Sequence, residues 1–107
     1  MRKCKISAVK FTRQDDLIKE YGVNPDNFGP CPRANPGQEW ILQGHGKPDG
    51  FCDEAWRAIH HYVFAIVHDG GGKLFFSDNW VRKPNIAIVS CNDGLRPVIF
   101  KVEAIDG

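Results

Sequence analysis

Apolar and polar residues alternate from Lys3 to Phe11, with Cys4, Ile6 and Ala8 on one face and Val9 and Phe11 on the other. A period of two predicts a strand. Thr12, followed three residues later by Asp15, resembles a helix start with acid in its first turn. Leu17, Ile18 and Tyr21 would give that short helix an apolar side, and Gly22 would end it. Four prolines between Asn24 and Gly37 forbid long regular structure there. Gln38 to Gln43 then reads as a strand carrying Trp40 and Leu42 on one face, and Gly44 to Gly50 as a loop.

The clearest periodicity runs from Asp53 to about His68. At 100° per residue, Cys52, Trp56, Ile59, Val63, Ile66 and Val67 share one stripe, while Glu54, Arg57, His61 and His68 fall opposite. Gly70-Gly71-Gly72 would stop this helix, and Leu74 to Phe76 reads as a short strand. Asn85 to Cys91 and Pro97 to Ile105 are two further strands, and Asp93-Gly94 between them suits a hairpin connection. The sum is an α+β fold in a single domain over residues 1–107: a mostly antiparallel sheet with one main helix and one short helix.

Charge and composition narrow the function classes. A hydrophobic fraction of 42% and a charged fraction of 25% are those of an ordinary globular domain. A net charge of +1 offers no global field for nucleic acid or acidic lipid, so neither is an expected partner. Arg2, Lys3, Lys5, Lys10 and Arg13 all precede the first acid, and they read as charges guarding an edge strand. No apolar run follows Met1-Arg2-Lys3, and the longest one, Tyr62 to Val67, is too short to span a bilayer. The expected location is the cytoplasm, where thiols stay reduced.

The four cysteines then become the informative residues. Cys31 lies between prolines, Cys52 opens the main helix and Cys91 ends a strand. Binding groups are often mounted at such places. There is no Cys-x-x-Cys pair and no His-Glu-x-x-His. Cys52 and His60 are separated by about 12 Å along a helix, too far to share an ion. A metal site would have to be assembled by the fold from Cys31, Cys52 and Cys91, with His45 as fourth ligand. Three cysteines with one histidine hold zinc, and thiolates also suit an iron–sulfur cluster or Cu(I). Cys4, beside Ile6, reads as core, and so does His60, which flanks the apolar stripe of the main helix.

Two alternatives stand beside the metal. In the first, Cys52 is the nucleophile of a thiol-dependent enzyme. The amides and dipole of the helix N-terminus favour a thiolate, and Asp53 and Glu54 oppose it. His45 is then the best-placed base, Arg96 anchors an anionic group and Asp93 sits next to it. The bland reading of Arg96 is that it pairs with Asp93 or caps turn carbonyls. In the second alternative the protein is a homo-oligomeric interaction module without site chemistry. Trp40, Trp56 and Trp80 read as core rather than as a stacking platform.

Gly50 to Trp56, together with the run Cys91-Asn92-Asp93-Gly94-Leu95-Arg96-Pro97-Val98-Ile99-Phe100, resembles a family of small prokaryotic proteins of unknown function. Cys31-Pro32, Gly37-Gln38-Glu39 and Asp16-Leu17-Ile18 also look like that family. Its pattern carries a double cysteine before Asp-Gly, where this chain has Ser90-Cys91. The resemblance implies no reaction or cofactor. It directs attention to Cys31, Cys52, Asp93, Gly94 and Arg96.

Overall fold

The alternation at the start of the chain becomes the first strand of an antiparallel sheet in a computed structural model, which describes residues 1–68, 80–83 and 85–105. The elements run β1 (Lys3–Phe11), α1 (Asp15–Tyr21), a 3-10 turn (Pro25–Asn27), β2 (Glu39–Leu42), α2 (Asp53–Val67), β3 (Ile86–Ser90) and β4 (Val98–Ile105). Strand order is β2-β1-β4-β3, and all three pairings are antiparallel. The fold is α+β. The Gly70-Gly71-Gly72 stop and the Leu74 to Phe76 strand lie outside the described residues.

One face of the sheet carries the core. Cys4, Ile6 and Ala8 of β1 and Val98, Phe100 and Val102 of β4 are buried, with Leu42 and Ala87 beside them. The stripe of α2 packs onto this face through Ala55, Ile59, Val63 and Ile66. Glu54, Arg57, His61 and His68 are exposed, as the 100° period requires. Trp40, Trp56 and Trp80 are half-buried against the core. Among the described residues no helix is long and apolar enough to cross a membrane.

Four expectations change. The basic first strand is not an edge: β1 pairs with β2 on one side and β4 on the other, so its lysines lie in the middle of the sheet. Helix α1 lacks a broad apolar side, because only Ile18 is buried while Leu17 and Tyr21 are exposed. Its N-cap is Gln14, because the Thr12 hydroxyl instead donates to the Pro97 carbonyl at 2.6 Å. His60, which flanks the apolar stripe, is exposed rather than in the core.

Candidate functional site: a cysteine-lined cleft

Three connections bring chemistry to one end of the sheet. The first is the turn into α2. Phe51 N–H donates to the Pro48 carbonyl at 3.2 Å, and Gly50 holds φ +78, a conformation glycine takes without steric cost. That turn drives Phe51 into the core, against Trp40 at 4.7 Å, Phe100 at 5.4 Å and Trp56 at 6.0 Å between ring centroids. Cys52 follows as the N-cap of α2, and its side chain makes no capping hydrogen bond. The first-turn amides of α2 are therefore left without a side-chain cap from Cys52.

The acids beside Cys52 are each paired. Lys47 Nζ lies 2.7 Å from Asp53 Oδ1 and also donates to the Phe51 carbonyl at 2.9 Å. Its hydrogen bond and its charge hold the Asp53 carboxyl below the usual carboxylate range. Arg57 Nη1 lies 3.4 Å from Glu54 Oε1. Both acids that would oppose a Cys52 thiolate thus have a cation beside them. The sequence reading missed Lys47, because nothing in the loop from Gly44 to Gly50 ties it to a particular helix start.

The second connection joins β3 to β4. Cys91 N–H donates to Val98 O at 3.2 Å, and Val98 N–H donates back to the Cys91 sulfur at 3.4 Å. Asp93 Oδ1 accepts from the backbone N–H of Leu95 at 2.8 Å and of Arg96 at 3.2 Å, which fixes the turn. The third connection is the irregular segment around Cys31. Arg96 Nη1 donates to Gly29 O at 2.9 Å, and its guanidinium lies 4.5 Å from the centre of the Phe28 ring. Arg13 Nη1 donates to the Phe28 carbonyl. Arginines on two other parts of the chain thus tie this segment down.

The outcome is one cleft of about 440 Å³ lined by Cys31, Cys52 and Cys91, with Arg33 and Arg96 balanced by Glu54 and Asp93 as its charged residues. An adjoining pocket of about 30 Å³, room for roughly one water, is lined by the same three cysteines with Trp40, Phe51 and Phe100. All four cysteines are free. Cys4 lies elsewhere, fully buried on β1, and burial pushes its thiol up to about 12.

His45 does not join them. Its ring packs against Phe64 at 5.0 Å and His68 at 5.5 Å, at the far end of α2. Twelve residues of helix, about 18 Å, separate that end from Cys52. The expected set of three cysteines and one histidine is therefore not assembled, and His45 is no base for Cys52. Among the described residues no group of three or more histidine, cysteine, aspartate or glutamate side chains is arranged to hold a metal ion. Arg96 and Asp93 are also spoken for. Arg96 donates through Nη1 to Gly29 O and sits 3.6 Å from Asp93, so it positions the segment of Cys31, while its buried Nε makes no hydrogen bond. Arg33, which the sequence reading did not single out, is an exposed cation on the cleft wall.

Compared with known protein families, curated proteins and solved structures, the chain matches none of them.

Proposed function

We propose that the cleft is the functional site and that its chemistry is carried by cysteine thiols, with Cys52 as the nucleophile toward a small ligand. The observation that carries this reading is the meeting of Cys31, Cys52 and Cys91, far apart in the chain, on one cleft wall. Cys52 has two further advantages. It caps α2 without spending its sulfur on a hydrogen bond, and Lys47 and Arg57 offset the adjacent carboxylates. Arg33 supplies positive charge for an anionic group on the ligand.

The reading is tested by brief iodoacetamide treatment at neutral pH, with each cysteine followed by peptide mass spectrometry. Cys52 should label fastest and Cys4 not at all, and Cys52→Ala should remove the fast phase. Labelling of Cys52 no faster than in the urea-unfolded chain would overturn it.

A second reading, a soft transition metal held by the same thiols, draws support from the water-sized pocket that the three cysteines line. The arrangement of donors favours it less, since among the described residues no set of three stands ready for one ion. Metal analysis of protein purified without chelator or oxygen separates the two. Near-stoichiometric metal that is lost in Cys52→Ala would put the metal first.

A further inference from the structure

Resting on the reading of Cys52 as a nucleophile, we infer that the cleft carries out dithiol–disulfide exchange with a small anionic disulfide, with Cys31 as the resolving thiol. Nucleophilic attack needs one sulfur. This cleft carries three, on three separate segments, and all are free. A second thiol in the same cleft is what turns a dead-end adduct into a completed exchange.

The roles divide by how each sulfur is held. Cys91 is built into the mouth of the β3–β4 hairpin, and its sulfur accepts the Val98 N–H at 3.4 Å. Cys52 is fixed at the first turn of a 15-residue helix. Cys31 stands on a segment without helix or strand, held by side-chain contacts to its neighbours Phe28, Gly29 and Pro30. A disulfide demands close approach of two Cβ atoms, about 3.8 Å apart. The segment of Cys31 is the one able to supply that adjustment without breaking a strand pairing or a helix. Arg33, two residues along on the same segment, places a cation where a carboxylate-bearing disulfide would enter.

The chemistry balances as follows. Cys52 gives its proton to solvent, and the thiolate attacks one sulfur of the ligand. The ligand S–S bond breaks and the first thiolate leaves, taking up a proton. Cys31, deprotonated in turn, attacks the Cys52 sulfur of the mixed disulfide and expels the second thiolate. The protein dithiol loses two electrons and two protons, and one disulfide becomes two thiols. The disulfide ligand is itself the oxidant.

Oxidised glutathione is the probe. Reduced full-length protein is mixed with it under argon, quenched with acid and measured by intact mass and disulfide-linked peptides. The expected product has lost two hydrogens, carries a Cys31–Cys52 bridge and appears with two equivalents of reduced glutathione. Cys31→Ser should stop at a glutathione adduct on Cys52, whereas Cys91→Ser should still form the Cys31–Cys52 bridge. A native chain that stops at the adduct, or that bridges through Cys91, overturns the inference. So does a chain that does not react with the disulfide while iodoacetamide still labels Cys52 fast. If iodoacetamide labelling is not fast either, the parent reading falls with it.

Discussion

At the scale of single residues, burial separates Cys4 from the other three cysteines, which are all half-buried. Cys4 has no exposed surface, and desolvation raises its thiol from 9.0 to about 12. An unfolded chain can ionise this thiol above pH 9, whereas the folded chain keeps it protonated until about pH 12. The folded pKa is the higher one, so the stabilisation is complete below pH 9 and is lost as pH rises toward 12. Its size is on the order of 4 kcal/mol. Denaturant midpoints measured from neutral to strongly alkaline pH should fall more steeply for the native protein than for Cys4→Ala. Parallel curves would count against the assignment. The alternation around Ile6 showed that Cys4 is core. It gave no hint that Lys47 would reach Asp53, because that contact depends on the Gly50 turn and on where α2 starts.

At the scale of elements, the strands and α2 were legible because each carries its own period and a breaker at its end. Val98, Phe100 and Val102 alternate, and α2 repeats at 100°, so both can be read locally. Helix α1 was harder. With one buried residue it is held by its neighbours, including the Gln14 N–H bond to Leu95 O at 2.8 Å, which no local pattern encodes. The cleft was half legible. Placement at element ends picked out Cys31, Cys52 and Cys91, but His45 was chosen only for its nearness in sequence to Cys52. The connection containing His45 turns away along α2, and sequence distance carries no direction. Asp93 shows how much one turn residue governs the site. Its carboxylate accepts two backbone N–H groups and faces Arg96. Asp93→Ala should cost about 1–2 kcal/mol of stability and loosen the hold of Arg96 on the Cys31 segment. Thermal unfolding checks the first effect, and faster labelling of Cys31 by iodoacetamide checks the second. Unchanged labelling would show that Arg96 keeps its place without the turn.

For the whole molecule, the position of β1 matters most. It was read as an edge because a run of lysines commonly guards one, yet it lies between β2 and β4. Strand order depends on long-range pairing, which the period of one strand cannot report. A central strand has both of its backbone edges bonded, so opening it requires breaking two ladders. In hydrogen exchange of the native protein, amides of Cys4 to Ser7 and of the β4 residues between β1 and β3 should exchange slowest. Those of β2, paired on one side only among the described residues, should exchange sooner. Equal rates across all four strands would contradict this order.

The register that sets Lys3 opposite Ile105 has a consequence for how the chain is made. A ribosome releases β1 first and β4 last. The longest ladder in the sheet cannot form until residues 98–105 have emerged, although β2 and α2 emerge well before. Closing the larger loop costs only about 1 kcal/mol more than closing the one to β2. Waiting therefore matters more than entropy. Until β4 arrives, the apolar face of β1 lacks the partner of its longest ladder, and the nascent chain is most exposed to aggregation in that interval.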